Sequence, residues 1–206
     1  VHHRNICALS GPNLAREIIE GHPAMSVVGA SDLAVAQSAQ SILNSSTFRV
    51  YTNEDLTGVE LGGALKNIIA IGAGIADGMG YGANTKAAYL TRGLAEITRL
   101  GVAAGASPST FGGLAGLGDL MTTCYSPMSR NYRLGERLAK GQKDENIVAE
   151  IGEIVEGINT VPAALEMAKT LQVDMPITDA INRILFESLD LTKAVDQLLS
   201  RDPKSE

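Results

Sequence analysis

The chain has no tryptophan, and only 4% of its 206 residues are aromatic. Rings can therefore do little of the packing. With 22 glycines and 45% hydrophobic residues, a sizeable core is expected in which helices approach closely through Gly and Ala. Basic charge is also scarce: 17 Lys and Arg stand against 23 Asp and Glu, a net charge of −6 with no basic block, which argues against a nucleic-acid partner. An anionic ligand would have to be met by a local positive potential. The two cysteines, Cys7 and Cys124, have no CxxC or metal-ligand spacing and read as reduced thiols of a cytoplasmic protein. The longest charge-free apolar run, residues 68–76, is far short of the roughly 18 residues of a membrane span. No signal peptide is legible. His2 and His3 have no third ligand within reach by sequence, His22 lying beyond a helix, and read as an exposed terminus rather than a metal site. The chain opens at Val1, almost directly into a strand-like run, as expected of a fragment or processed product.

The first fifty residues alternate strand-like and helix-like stretches. Residues 5–9 read as a buried strand, ending in the turn Ser10-Gly11-Pro12-Asn13. A short helix over 13–20 and a second strand over 25–29 follow. Residues 32–43 form an amphipathic helix, with Ser31 or Asp32 as cap and Leu33, Ala36, Ala39, Gln40 and Leu43 on one face; 47–51 is a third strand. This β-α-β-α-β order is of the sort that closes a doubly wound sheet. The G-x-G-x-x-G loop of a dinucleotide fold is missing. Gly72-Ala73-Gly74 falls inside a helical pattern, where it fails as a cofactor loop and reads as a site of close helix packing. From Thr57 the pattern is helical nearly to the end. A long buried helix is expected over 84–104, carrying Ala87, Ala88, Leu90, Thr91, Leu94, Ile97 and Leu100. A short extended piece is expected at 154–157, then helices over 161–171, 177–185 and 192–199, the second opened by Pro176 at its first position.

The stretch 59–74 organises the chain. Leu61, Leu65, Ile68 and Gly72 form one apolar stripe of a helix, and Lys66 lies off it. Its neighbours a turn away are Gly62, Gly63, Ile69, Ala70 and Ala73, with no carboxylate at i±4. Such a lysine either snorkels its ammonium to water or sits in a small-residue pocket where desolvation makes it a usable acid or base. Spacing alone favours snorkelling.

Four polar clusters stand out against the apolar helices: Lys66-Asn67; Gly82-Ala83-Asn84-Thr85-Lys86, leading into a helix with Arg92; Gly116-Leu117-Gly118-Asp119-Leu120 with Thr122 and Thr123; and Ser129-Arg130-Asn131. Singly, each has a structural reading. Asn84 or Thr85 caps a helix, Asp119 is a carboxylate stabilised at a helix start, and Ser129 is a cap with Arg130 solvated on the first turn. Thr122 and Thr123 read as packing and backbone-bonding residues. Together they describe something else. A helix start bearing Ser, Arg and Asn is an anion site, where free N–H groups, the dipole and a forked guanidinium converge. A lysine and a carboxylate in apolar surroundings supply a proton donor and its orienting partner. Phosphate recognition with proton transfer to a carbonyl is a coherent chemistry for that set.

The run Leu61-Gly62-Gly63-Ala64-Leu65-Lys66-Asn67, followed in order by Asn84-Thr85-Lys86-Ala87-Ala88, Gly116-Leu117-Gly118-Asp119-Leu120, Thr122-Thr123-Cys124 and Ser129-Arg130-Asn131, resembles the NAD(P)-dependent glycerol-3-phosphate dehydrogenases. Val155-Glu156-Gly157 and Met175-Pro176-Ile177-Thr178 fit the bacterial type, and Ser10-Gly11-Pro12-Asn13-Leu14-Ala15 looks like that family's Ser-Gly-Pro-x-x-Ala turn. The match runs from about residue 5 to about residue 190.

The resemblance implies a mainly α chain. Residues 1–56 would be the last β-α-β-α-β part of a Rossmann-type dinucleotide-binding domain, and 57–206 an all-helical substrate domain of the 6-phosphogluconate dehydrogenase C-terminal kind. It implies interconversion of dihydroxyacetone phosphate and sn-glycerol 3-phosphate with NAD or NADP, no metal, in the cytoplasm, feeding phospholipid synthesis. By the same resemblance Lys66 is the catalytic proton donor and acceptor. Asp119 holds the lysine and a substrate hydroxyl, and Gly11 and Asn13 line the substrate side. Ser129, Arg130 and Asn131 bind the phosphate, and Ala15, Arg130, Ile154 and Glu156 contact the cofactor. The family's glycine-rich loop and upstream substrate lysine are missing here, so the chain alone is expected to be inactive. Asn13 stands where the family often has serine. Two other readings remain open: a non-catalytic helical module that dimerises or binds a partner, and a related two-domain dehydrogenase of another hydroxy acid.

Overall fold

The computed structural model describes residues 5–142, 147 and 150–202; His2 and His3 fall outside them. Three short strands open the fold. β1 (Ala8–Ser10) pairs antiparallel with β2 (Ala24–Gly29), which pairs parallel with β3 (Phe48–Asn53), Ala24 opposite Phe48 through to Gly29 opposite Asn53. α1 (Ala15–Ile19) and α2 (Leu33–Leu43) make the connections, so the element order is the one the sequence implies. The first connection reverses the chain, because α1 buries none of its residues and does not pack on the sheet as a parallel crossover helix does. β1 is also shorter than 5–9, and only Ser10 of it is buried. Asp32 caps α2 by accepting from the Ala34 N–H (2.9 Å). Ala36 is the buried centre of its apolar face, and Gln40 Nε2 donates to the Val50 carbonyl (2.7 Å).

Asp55 ties the sheet to the helices. One carboxylate oxygen accepts from the Gly58 N–H (2.8 Å) at the start of α3 (Leu56–Gly78); the other accepts from Ser107 N (2.8 Å) and Thr110 Oγ1 (2.7 Å). By length and composition α3 could cross a membrane, but 67% of its most apolar window is buried inside the fold, which makes it the core helix. Around it lie α4 (Ala83–Ala103), α5 (Pro108–Phe111), a π-helical turn at Leu114–Gly118, α6 (Asp119–Tyr125) and α7 (Arg130–Ala139). α8 (Glu156–Leu171), α9 (Pro176–Phe186) and α10 (Leu191–Leu199) complete the fold, which is mainly helical. The core runs from Leu65, Ile68 and Ile71 of α3 to Ile97, Phe111, Leu120, Leu134 and Ile181. Glycine does set the packing distance. A Cβ at Gly72 would strike the Tyr89 ring, and one at Gly74 the Tyr132 carbonyl of α7.

Three sequence expectations need correction. α4 is capped by Gly82 without a side-chain bond, leaving Asn84 and Thr85 exposed on its first turn. Its buried face carries Lys86, Gly93 and Glu96, while Ala87, Ala88 and Thr91 are exposed. The helix turns that way because both charged side chains find partners inside, as set out below. Residues 154–157 are only half extended: Val155 is extended at φ −98°, ψ 95°, and Glu156 opens α8 five residues before the expected start at Val161. Elsewhere Gly141, at φ +80°, follows the end of α7, and Pro176 opens α9 as the sequence indicates.

Candidate active site

The π-helical turn delivers Asp119 to Lys66. Gly62 lies one turn before Lys66 on α3, and a Cβ there would stand 2.6 Å from the Ala115 carbonyl; its absence lets the turn lie directly on the helix. Asp119 then begins α6 with 4% exposure, and its carboxylate is bonded on both oxygens. Oδ1 takes the Lys66 ammonium and, at 3.4 Å, Thr123 Oγ1; Oδ2 takes Ser10 Oγ (3.1 Å) and the Gly11 N–H (3.4 Å). Gly11 is at φ +134°, which only glycine holds without strain, and that conformation aims its N–H at the carboxylate. A buried carboxylate survives when charge and hydrogen bonds both compensate its desolvation, and four donors do so here.

The pair opens into a cleft of about 290 Å³ lined by Ser10, Asn13, Glu60, Gly63, Lys66 and Asp119. The Lys66 side chain keeps 17% exposure, so a ligand in the cleft can reach its ammonium. A larger cavity of about 390 Å³ between the sheet and the π-helical turn is lined by Met25, Val27, Tyr51 and Leu114 and, among the described residues, by no charged group. The smaller cleft is the one that presents charged groups, Glu60, Lys66 and Asp119.

A second group adjoins the first through Asn67, the residue after Lys66. Asn131 is 3% exposed; its Nδ2 donates to Asn67 Oδ1 (3.0 Å) and Glu156 Oε2 (3.4 Å), and its Oδ1 accepts from the Gly157 N–H (2.8 Å). Ser129 caps α7 by accepting from the Tyr132 N–H (3.2 Å). Arg130 differs from the sequence reading. Its guanidinium is engaged by Glu153 (2.9 Å) and Glu156 rather than solvated. Both partners are substantially exposed, at 65% and 42%, so these pairs are weak and an entering anion can exchange for them. Ala15 and Ile154 are exposed and stand outside both groups.

The far end of α6 is fixed by charge as well. Lys86 Nζ donates to Asp77 Oδ2 (2.6 Å) and stands 4.1 Å from the Tyr125 ring centroid and 5.2 Å from that of Tyr132. Tyr132 Oη donates to the same Asp77 oxygen (2.7 Å). Burial, with the hydrogen bond to Asp77, holds the Tyr132 hydroxyl above the usual phenol range. α6 is thus pinned to α3 and the end of β1 at its start, and α3, α4 and α7 meet at its end. Thr122 and Thr123 bond the carbonyls of Gly118 (3.1 Å) and Asp119 (2.7 Å), the backbone-bonding role read from the sequence.

The profile of the family described as "NAD-dependent glycerol-3-phosphate dehydrogenase C-terminus" matches residues 55–196. The chain belongs to this family. It is 51% identical over 203 residues to the glycerol-3-phosphate dehydrogenase [NAD(P)+] of Macrococcus caseolyticus, covering 98% of this chain and 61% of that protein. The same enzyme of Geobacillus thermodenitrificans is likewise 51% identical over 203 residues, with 98% and 59% covered. The crystal structure of glycerol-3-phosphate dehydrogenase from Coxiella burnetii superposes with a TM-score of 0.91 at 39% identity, over 95% of this chain and 60% of that one. That of Saccharomyces cerevisiae does so at 0.82 and 28%, over 93% and 58%. The chain therefore spans about three fifths of the length of the curated relatives it matches.

The structure brings together two sets of the site residues that the family resemblance implies. Asn13, Lys66 and Asp119 line the cleft, and the Gly11 N–H reaches the Asp119 carboxylate; Arg130, Asn131 and Glu156 form the adjoining group, at the helix start that Ser129 caps. Ser10, Gly63 and Asn67 were missed as site residues. Ser10 and Asn67 adjoin Gly11 and Lys66 in the chain and Gly63 lies one turn before Lys66, but sequence spacing does not say that these side chains and this gap meet at the site.

Proposed function

We propose that this chain is the substrate-side part of an NAD(P)-dependent glycerol-3-phosphate dehydrogenase, in which Lys66 moves the proton while hydride is exchanged with C2 of the three-carbon phosphate. The observation that carries the reading is the Lys66–Asp119 pair, buried on one side and open to a cleft on the other, next to a helix start with an arginine. During reduction of dihydroxyacetone phosphate, Lys66 Nζ donates a proton to the carbonyl oxygen as its C=O π pair becomes a lone pair. The neutral amine is recharged from solvent. During oxidation of sn-glycerol 3-phosphate the same nitrogen takes the hydroxyl proton. Asp119 holds the ammonium in place and accepts from a substrate hydroxyl, and Gly11 and Asn13 close the substrate side. Arg130, released from Glu153, meets the phosphate with the free N–H groups of the first turn of α7, and Asn131 and Ser129 fix that turn.

The cofactor assignment agrees with the donor set only in part. Ile154 is 72% exposed and Glu156 presents a carboxylate, a pairing of apolar surface and hydrogen-bond acceptor that suits a carboxamide or ribose hydroxyl. Ala15, Arg130, Ile154 and Glu156 would hold the nicotinamide end, Ala15 and Ile154 from exposed positions beside the bonded groups. Bound there, NADH or NADPH supplies the hydride. Residues 1–56 belong, in this reading, to the dinucleotide-binding domain and 57–206 to the substrate domain. The product, sn-glycerol 3-phosphate, is a precursor of phospholipids.

The test is oxidation of NADH and NADPH with dihydroxyacetone phosphate, by this chain and by a form extended at its N-terminus to the length of its relatives. Substrate-dependent oxidation by the extended form is expected. A folded extended form that ignores this substrate but reduces an unphosphorylated keto acid would overturn the proposal.

A further inference from the structure

We propose that Ser10 is a positioning residue for the proton-transfer pair: its hydroxyl fixes the Asp119 carboxylate so that one oxygen stays on Lys66. This rests on the function proposed above. Two donors sit on each carboxylate oxygen, and the donors are unequal. Thr123 Oγ1 is committed to the Asp119 carbonyl at 2.7 Å and reaches the carboxylate only at 3.4 Å; the Gly11 N–H is also at 3.4 Å. At these lengths both bonds are weak. Ser10 Oγ, at 3.1 Å and in a residue 7% exposed, is the shortest bond to the carboxylate other than the lysine itself. Without it, rotation about Cβ–Cγ would no longer be held against the pull of the moving lysine.

Gly63 carries the same inference from the opposite wall. It lies on α3 one turn before Lys66, and a Cβ there would stand 2.9 Å from Ser10 Oγ and 3.7 Å from Ser10 Cβ, with no other atom of the described residues beyond its own helix within 4 Å. A glycine in mid-helix is unfavourable, and here the space it leaves is occupied by one hydroxyl. Ser10 ends β1, 109 residues from Asp119, so the bond also ties the position of the sheet to the geometry of the pair.

The experiment is a double-mutant cycle in the full-length enzyme, read as kcat and KM for dihydroxyacetone phosphate with melting temperature alongside. Ser10→Ala is expected to lower kcat about ten- to a hundredfold, the range for a lost hydrogen bond to a charged group. KM should change little, because the phosphate is held elsewhere. In an Asp119→Asn background the same change should cost less than about threefold, since residues acting through one another are non-additive. Gly63→Ala, which displaces the hydroxyl while leaving Ser10 in place, should reproduce the kcat loss with a melting temperature no lower than wild type; it decides the matter alone if Ser10→Ala does not fold. Equal fold-losses in both backgrounds, or wild-type kcat in Ser10→Ala or Gly63→Ala, would overturn the role of Ser10 and leave the proposed function standing. A wild-type enzyme without this activity would overturn both.

Discussion

Glu96 is 1% exposed, yet it is an anchor rather than a reactant. Its carboxylate accepts from the N–H groups of Ile177 and Thr178 and from Thr178 Oγ1, each at 2.8 Å, and so caps the start of α9 from the side of α4. Burial pushes its carboxyl above the ordinary value, and the three hydrogen bonds pull it partly back. Between the ordinary value and the raised one the folded state binds more protons than the unfolded state. Its contribution to stability therefore falls as pH rises through that window. Glu96→Ala should cost about 1–3 kcal/mol for each buried N–H left without an acceptor, measured by urea unfolding. The advantage of wild type over this variant should shrink as pH rises above about 4.5, the ordinary carboxylate value; an advantage that grows with pH would contradict the assignment. Glu96 and Lys86 were not legible as interior residues. Hydropathy patterning places charge outside, and only the partners on other helices reverse that: Ile177 and Thr178 of α9, 81 and 82 residues from Glu96, and Asp77 of α3, nine residues before Lys86.

At the scale of elements, α3 and α7 are interlocked backbone to backbone. Gly74 of α3 meets the Tyr132 carbonyl, and Gly135 of α7 meets the Ile71 carbonyl. This crossing places Asn131 beside Asn67 and so sets the second group against the first. Gly74→Ala gains helix propensity but forces the helices apart, and a net loss of about 1–3 kcal/mol is expected in denaturant unfolding. A gain in stability would show that the crossing is looser than described. The glycine-dependent packing was legible from Gly72-Ala73-Gly74 inside an apolar helix, whereas its partner helix was not. The start of α8 was misplaced for a specific reason. A helix from 161 puts Pro162 in its first turn, where proline is tolerated, but the real helix begins at Glu156 and carries Pro162 in its interior.

Over the whole molecule, the two thiols report on different things. Cys7 is exposed, while Cys124 is fully buried in the α3–α6 core, where burial pushes its thiol up to about 12. A thiol reagent at neutral pH should label Cys7 at once and Cys124 only as the fold opens, so that labelling of Cys124 tracks denaturant. Prompt labelling of both would contradict the packing. The family was legible in the sequence through the order of its motifs, from Lys66-Asn67 through Asp119 to Ser129-Arg130-Asn131. How they meet was not legible, because it depends on a π-helical turn, on Gly11 in a left-handed conformation and on the carboxylates that hold Arg130. The central claim is that Lys66 carries the proton. The most direct measurement is kcat of Lys66→Ala in the full-length enzyme with dihydroxyacetone phosphate and NADH or NADPH, with the fold checked by circular dichroism. A loss of about 10²–10⁴-fold in a folded protein is the expected result. Turnover within about threefold of wild type, too little for a lost general acid, would contradict the account.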